Sequence, residues 1–236
     1  MAAKNSIKNY VPESYFHIYN RGVEKRDIFL DQQDFSVFLS YLKIYLEPKD
    51  EMELCTILGS PESTSQDKSK ALKLLNLKNF YEDIDLHCYA LLPNHFHLLL
   101  RQTSGDGIDR FMNALGVRYS VYFNHKYHRV GPLFQGVYKA VLVTTDEQLL
   151  HLSRYIHLNT FHWLEYPLSR RHEIHLPSSL PEYLQERHTG WINTEQILGF
   201  FTKEKPGASY LQFFGEPSDS ELIAQLTLDD LQEVVL

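Results

Sequence analysis

The segment LHCYALLPNHFHLLLR constrains the fold of this 236-residue chain more than any other. Two apolar runs of strand length lie on either side of a Pro-Asn dipeptide that favours a turn, so the pattern predicts strands over residues 86–92 and 96–101. His95 and His97 are separated by one residue, Phe96, where the second strand meets the surface. Because residues i and i+2 of a strand point to the same face, the two imidazoles project side by side while Phe96 packs behind them.

A strand that presents two imidazoles on one face supplies two ligands of a metal site. Imidazole nitrogen is a common ligand of divalent metals, and a strand holds side chains more rigidly than a loop. The alternative is a half-exposed pair of histidines on a sheet face, which is the commoner explanation of this spacing taken alone. The position of the pair directly after a turn shifts the balance towards a metal site.

The composition is that of a globular protein with one main domain. A chain of 236 residues can bury a full core, and 43% hydrophobic and 22% charged residues are ordinary values. The first residues lack the apolar core of a signal peptide, so we expect a cytoplasmic protein. Cys55 and Cys88 are too few and too far apart to suggest a disulfide framework or a cysteine-based zinc site.

The net charge of −7 at first argues against a nucleic-acid partner, but the charges are unevenly distributed. Residues 101–145 contain six lysines and arginines and two aspartates, whereas residues 200–236 contain two lysines and seven acidic residues. A basic middle and an acidic tail allow one face to bind phosphate while the whole chain remains acidic. Ordinary solvated charge is the alternative.

Other segments show the usual patterns of strands and helices. Residues 15–22, YFHIYNRG, alternate in character and end in a turn, which predicts a first strand. Apolar residues recur at helical spacing over 32–46 and 108–126, and the aromatic stripe of the second helix is more typical of a core than of a base-stacking platform.

The segment MELCTIL is strand-like. Residues 59–70 are rich in serine and lack apolar anchors, so we expect a mobile surface loop there.

The segment HKYHRVGPLFQGVYK, residues 125–139, mixes cations with aromatic residues and glycines. Cations bind phosphate, aromatic faces stack on unpaired bases, and glycines let a backbone approach closely. This combination suits single-stranded nucleic acid. A merely basic surface hairpin is the alternative.

A later helix, capped by Thr145 or Asp146, carries Tyr155 and Asn159. These two residues are four apart, so both project from one face of the helix and their oxygens could contact the same small ligand. The alternative is a tyrosine at the boundary between helix and core, with its hydroxyl in water.

Four motifs occur in a consistent order, namely PNHFH after a strand, RYSVYFN, GPLFQGVYKA and SRYIHLN. Together they resemble the single-tyrosine HUH transposases and, within them, the REP-associated tyrosine transposases (RAYT). FHIYNRG is similar to the first strand of that family, so the resemblance extends over residues 15–160, and the segments at 166–167 and 191–194 resemble its trailing part more weakly. Family members commonly have proline after the asparagine and arginine in FQGR, where this chain has Thr160 and Val137.

The resemblance implies an α+β fold, a ferredoxin- or RRM-like antiparallel sheet with helices packed on one face. We expect the HUH transposase domain over residues 1–165. A mostly helical extension with an acidic amphipathic tail is expected over residues 166–236.

The resemblance also implies a metal-dependent endonuclease and strand transferase that acts on single-stranded DNA, folded as imperfect hairpins, through a 5′-phosphotyrosine intermediate. Tyr155 matches the nucleophile, His95 and His97 match the metal-binding pair, and Asn159 matches the polar residue that completes the site. Two histidines and an amide oxygen accept Mg²⁺ or Mn²⁺. The side chains expected to contact DNA are Arg21, Arg118, Lys126, Arg129, Gln135, Tyr138 and Lys139.

Two other functions compete with this one. The first is a domesticated, catalytically weak protein that binds nucleic-acid hairpins without turnover. The second is a metal-dependent phosphoesterase that uses water instead of Tyr155. The presence of the two histidines, the tyrosine and the asparagine together favours the transposase-type enzyme. The sequence leaves open whether it acts as a monomer or as a homodimer.

Overall fold

The computed structural model of the chain describes residues 11–162, 176–216 and 220–227. Within them, four strands form one antiparallel sheet. In the order in which they lie side by side, the strands are β2 (Ile84–Leu92), β3 (His95–Gln102), β1 (Ser14–Arg21) and β4 (Lys139–Val143). The predicted strand pair around the histidines is therefore confirmed as a hairpin between β2 and β3.

Helices connect the strands and follow the last one. They are α1 (Gln32–Leu46), α2 (Glu51–Gly59), α3 (Ser65–Asn76), α4 (Gly107–Lys126), α5 (Asp146–His162), α6 (Leu180–Tyr183), α7 (Glu195–Leu198), α8 (Pro206–Phe214) and α9 (Ser220–Leu226). With α1 and α4 as the main connections, the order β1-α1-β2-β3-α4-β4 and the arrangement of the strands are those of a ferredoxin-like fold. The predicted α+β class is confirmed.

Helices α1 and α4 cover one face of the sheet. Phe16 and Ile18 of β1 and Phe96 of β3 point towards them and are buried. The aromatic residues of α4 belong to the same core, which confirms their predicted place. Tyr119 also donates a hydrogen bond of 2.6 Å to the carbonyl of Ile28, so its buried hydroxyl has a partner.

Helices also cover the opposite face, which corrects the expectation that they pack on one face. Helix α5 lies against β2 and β3 there, and its residues Leu152 and Ile156 share a buried cluster with Cys88 and Leu99. The reason lies in the composition of β2 and β3, which carry apolar residues on both faces, so that both faces have to be removed from water. The C-terminal helices extend this second layer.

Two predictions for the region between α1 and β2 are wrong. The segment MELCTIL lies in helix α2 instead of a strand, because the Asp50 carboxylate accepts a hydrogen bond of 2.8 Å from the backbone of Glu53 and caps the first turn. The expected mobile loop at 59–70 contains the start of α3. Its Thr64 and Asp67 form a capping box, in which each side chain accepts from the other residue's backbone N–H at 3.1 and 3.2 Å.

A buried polar network joins the C-terminal extension to α5. The ring nitrogens of His157 lie 2.8 Å from the Tyr210 hydroxyl of α8 and 2.8 Å from the Ser179 hydroxyl, which comes just before α6. Helix α9 packs on α5 and β4, with Leu226 buried. The described part of the predicted amphipathic tail therefore docks on the same face of the sheet as α5.

Several predictions fall outside the described residues. They are the domain boundary at 165/166, the motif at 166–167 and residues 228–236 of the acidic tail. The domain limits therefore stay predictions. In the part of the chain that is described, no helix is both long enough and apolar enough to cross a membrane.

His87 couples stability to pH. It lies at an irregularity between β2 and β3, fully buried, and its Nδ1 donates to the carbonyl of Asn193 at 2.8 Å. Burial lowers the pKa of His87 to about 4 from the ordinary 6.5, although Asp85 and the Asn193 carbonyl oppose the shift. The unfolded chain therefore takes up this proton first, and the stability that the neutral ring supplies above pH 6.5 is lost as the pH falls towards 4.

We expect the substitution His87→Asn to flatten the pH dependence of the unfolding free energy between pH 6.5 and 4. The asparagine amide keeps a donor for Asn193 but does not titrate. Urea unfolding at a series of pH values measures the effect. Equal slopes in the wild type and the variant would contradict this role of His87.

Candidate active site

The two histidines are held by the turn that precedes them. The carbonyl of Pro93 accepts from the backbone of Ile28 at 2.7 Å, and that of Asn94 accepts from the backbone of Gly22 at 2.8 Å. His95 and His97 then begin β3 on the same face, with ring centroids 5.0 Å apart and planes 85° apart. The prediction that both imidazoles share one face is confirmed.

Hydrogen bonds orient both rings. Nδ1 of His95 lies 2.6 Å from the amide oxygen of Asn94, which can only accept, so Nδ1 carries the proton and Nε2 keeps its lone pair. Nδ1 of His97 lies 2.9 Å from Nε2 of His17. Nε2 of His97 is buried and has no hydrogen-bond partner among the residues that the structure describes. Each ring therefore has one engaged nitrogen and one that is available to a ligand.

Burial keeps both rings neutral near pH 7. It lowers the pKa of His95 to about 4, with Arg21 adding to the effect, and lowers the pKa of His97 well below its ordinary value. Neutral imidazole is the form that binds a metal ion through its lone pair.

Tyr155 of α5 packs directly against this pair. Its ring meets the ring of His97 edge-on, with centroids 5.6 Å apart. Burial raises the pKa of Tyr155 to about 12, and a side-chain interaction with Asn159 acts in the opposite direction. The tyrosine is therefore a phenol at neutral pH, and it has to be activated before it can act as a nucleophile.

Asn159 lies one turn after Tyr155 and is also buried. Its amide nitrogen donates to the backbone carbonyl of Tyr155 at 2.7 Å, which leaves the amide oxygen for another partner. The structure thus brings His97, Tyr155 and Asn159 to the same side of the sheet, as the sequence predicts.

These residues could hold a divalent cation. Residues 11–162, 176–216 and 220–227 contain no group of three histidine, cysteine, aspartate or glutamate side chains placed to bind a metal. A site here therefore needs an oxygen ligand of another kind besides the two imidazoles, such as the Asn159 amide or a substrate phosphate. The buried Nε2 of His97, which has no partner among the described residues, is the feature that fits a cation best, because leaving a buried nitrogen without a hydrogen bond is costly.

Two residues of β1 belong to this site and are missing from the sequence prediction. The His17 ring stacks on the His97 ring, with centroids 5.1 Å apart. The centroid of the Tyr19 ring lies 5.9 Å from that of His97. In the sheet register, Tyr19 is directly opposite His97. The signal that could have found them is the alternation of FHIY, which places polar rings on the face opposite Phe16 and Ile18.

Three of the predicted DNA-contacting residues lie near the histidines. Arg21 is opposite His95 in the sheet register, and its Nε donates to the side-chain oxygen of Gln135. Lys139 is opposite Tyr19 at the sheet edge. Arg21, Gln135 and Lys139 together are called the cationic margin below.

Two other predicted cations lie elsewhere. Arg118 projects from α4, and its guanidinium carbon lies 4.3 Å from the centroid of the Tyr41 ring of α1. Arg129 donates to the side-chain oxygen of Asn124, near the end of α4, at 3.0 Å. Because α4 covers the face of the sheet opposite the histidines, the structure does not bring these two arginines to the candidate site.

The structure corrects the expected roles of Lys126 and Tyr138. The Lys126 ammonium lies 2.7 Å from the Asp31 carboxylate and 2.8 Å from that of the fully buried Asp34, so its charge is already neutralised within the fold. Tyr138 is 8% exposed and its hydroxyl donates to Asp109 of α4, so its ring is not available to stack on a base.

Comparison with known proteins agrees with the motifs. Residues 64–159 match the family model described as "Transposase IS200 like", and this segment contains both histidines of β3, the tyrosine and the asparagine. This segment is therefore similar to IS200-like transposases, which agrees with the resemblance predicted from the motifs.

A solved structure described as "Structure of the REP associates tyrosine transposase bound to a REP hairpin" is also similar to the chain. Sequence identity is 8%, the TM-score is 0.46, and the similarity covers 81% of this chain and 98% of the other. Among curated proteins, none matches.

The position of Lys126 predicts a loss of stability when its charge is removed. Lys126→Met should lower the free energy of unfolding by about 1–3 kcal/mol, because it leaves the buried carboxylate of Asp34 without its cation. Lys43→Met is the matched control, because Lys43 forms an exposed ion pair with Glu47 at 3.5 Å, and such pairs contribute about 0.5 kcal/mol or less. Urea unfolding measures both. Equal losses in the two variants would contradict a structural role for Lys126.

Proposed function

We propose that the protein is a metal-dependent endonuclease and strand transferase that cuts single-stranded DNA at hairpin-associated sites through Tyr155. The observation that carries the proposal is the contact between the Tyr155 ring and His97, whose Nε2 is buried and has no hydrogen-bond partner within the described part of the chain. Support comes from the match of this segment to IS200-like transposases.

In this proposal His95 and His97, through Nε2, and Asn159, through its amide oxygen, would hold Mg²⁺ or Mn²⁺. When bound, a divalent cation offsets the charge of the scissile phosphate and favours the phenolate form of a nearby tyrosine. The histidines fit this role because they are neutral and each is oriented by a hydrogen bond to its Nδ1. Zn²⁺ could occupy such a site as well.

Tyr155 acts as the nucleophile. Its phenol oxygen attacks phosphorus, the bond from phosphorus to the 3′ oxygen breaks, and the phenolic proton is balanced by the proton that the 3′ hydroxyl gains. The tyrosine then carries the 5′ phosphate. Because this bond retains the energy of a phosphodiester, attack by another 3′ hydroxyl joins strands without ATP.

The cationic margin supplies a path for the DNA backbone to this site. Arg21 and Lys139 flank the histidines along the sheet, on the same face, and Gln135 is hydrogen-bonded to Arg21. Phosphate contacts of this kind position a strand without reading its sequence. The preference for imperfect hairpins rests on the resemblance of the motifs to REP-associated tyrosine transposases.

The two competing functions make different use of Tyr155. A hairpin-binding protein without turnover needs the cationic margin but no nucleophile. A phosphoesterase that activates water needs the metal ligands but not the phenol. The edge contact of Tyr155 with His97 favours the transposase-type enzyme over both.

We expect the wild type to form a covalent protein–DNA adduct with labelled single-stranded hairpin DNA in the presence of Mg²⁺ or Mn²⁺. The adduct, seen on a denaturing gel, should disappear in Tyr155→Phe and on chelation, while binding on a native gel persists. Tyr19→Phe is the matched control, because Tyr19 also lies near His97 but is not the proposed nucleophile.

Different outcomes separate the three functions. Cleavage that survives in Tyr155→Phe would assign the reaction to water. Binding without any adduct or cleavage, over a broad set of hairpins, would favour the hairpin-binding protein.

The cationic margin predicts a second result. Arg21→Ala combined with Lys139→Ala should weaken binding of single-stranded hairpin DNA and lower the slope of log affinity against log salt by about 1.4, since each lost phosphate contact contributes about 0.7. Arg118→Ala combined with Arg129→Ala removes the same charge from the α4 side and should have a smaller effect. Fluorescence anisotropy in the Tyr155→Phe background measures both. The reverse ranking would place the DNA path along α4.

A further inference from the structure

A chain of hydrogen bonds runs from the end of α9 to His97. The backbone carbonyl of Leu226 lies 2.8 Å from Nδ1 of His17, and Nε2 of His17 lies 2.9 Å from Nδ1 of His97. Both histidines are fully buried, and Leu226 is 1% exposed. Water therefore does not compete for these bonds.

The chemistry of the three groups determines where the protons lie. A carbonyl oxygen can only accept, so Nδ1 of His17 carries a proton and donates it to Leu226. His17 is buried and no carboxylate in the described part of the chain interacts with it, so the ring is neutral and its Nε2 has a lone pair. That lone pair accepts from His97, whose proton must then be on Nδ1.

The remaining nitrogen of His97 is its available ligand atom. With the proton on Nδ1, Nε2 carries the lone pair, and this buried Nε2 lacks a hydrogen-bond partner in residues 11–162, 176–216 and 220–227. The other tautomer would place a hydrogen at Nε2 and prevent coordination there. Histidines that bind metals commonly donate their other N–H to a second group, which fixes the tautomer and the ring orientation.

We propose that His17 is a positioning residue that holds His97 in the tautomer able to bind the metal, with the Leu226 carbonyl as the acceptor that fixes His17 in turn. The inference rests on the metal site of the proposed function. His17 does not touch the metal or the substrate. It acts through the hydrogen bond to His97 and through its stacked ring, with planes 16° apart.

This assignment gives the C-terminal extension a part in the active site. Leu226 is 209 positions away from His17 in the chain, and both lie outside the segment that matches the transposase family. His17 also meets the ring of Tyr155 edge-on, with centroids 6.1 Å apart. One side chain of β1 thus contacts a proposed ligand and the proposed nucleophile at the same time.

The test compares His17→Gln and His17→Leu in the full chain without DNA. Glutamine places an amide oxygen near the position of Nε2 and can still accept from His97, whereas leucine fills similar space without an acceptor. Mn²⁺ affinity, measured by electron paramagnetic resonance titration, should fall about 10- to 100-fold in His17→Leu, the usual effect of losing such a partner, and should be largely retained in His17→Gln.

A second measurement does not depend on metal binding. Nitrogen-15 NMR of the metal-free wild type should show His97 protonated at Nδ1 and bare at Nε2, with a mixture of tautomers in His17→Leu. A proton on Nε2 of His97 in the wild type would overturn the inference. So would equal Mn²⁺ affinity in the wild type and both variants.

The failure of the proposed function gives a different result. If the wild type binds no Mn²⁺, the proposal of a metal site is contradicted. The tautomer of His97 in the metal-free protein still decides whether His17 orients that ring. If His17→Leu does not fold, the wild-type tautomer and the affinity of His17→Gln decide the question. A His17→Gln variant that folds normally but binds Mn²⁺ about 100-fold more weakly would count against the acceptor role.

Discussion

The antiparallel pairing of β1 with β3 is the interaction on which the candidate site depends. Its register places Tyr19 opposite His97 and Arg21 opposite His95. A shift of one residue would turn every side chain of β1 to the other face and remove His17 from the layer that it shares with His97. The apolar residues that alternate with these polar ones are buried under α1 and α4, so the packing of that core also aligns the polar face.

Burial of this face has two opposite chemical effects. It lowers the pKa of His95 to about 4, which keeps the ring neutral at physiological pH, the form in which imidazole can bind a metal ion. It raises the pKa of Tyr155 to about 12, which suppresses the phenolate that attack on phosphorus requires. In the proposed function, a divalent cation would offset the second effect by favouring the phenolate of Tyr155. Arg21 and Lys139 at the margin of the face would suit an anionic strand.

Local patterns predicted the parts of the fold that are determined locally. The hairpin around His95 and His97, helix α4 and the shared face of Tyr155 and Asn159 all follow from spacing within one element. Long-range contacts were not predictable in this way. The partnership of His17 with His97 depends on strand register, and the neutralisation of Lys126 depends on how α1 packs against α4. The helices on the second face were missed because apolar runs show that a strand is buried without showing what covers it.

The most direct test is the identity of the residue that carries DNA. The full chain is incubated with a single-stranded hairpin oligonucleotide and Mn²⁺, digested with protease and nuclease, and searched by tandem mass spectrometry for a nucleotide phosphate on a peptide. We predict one modified residue, Tyr155, linked to the 5′ phosphate. A nucleotide on another residue such as Tyr19, or cleaved DNA with no modified peptide, would contradict Tyr155 as the nucleophile.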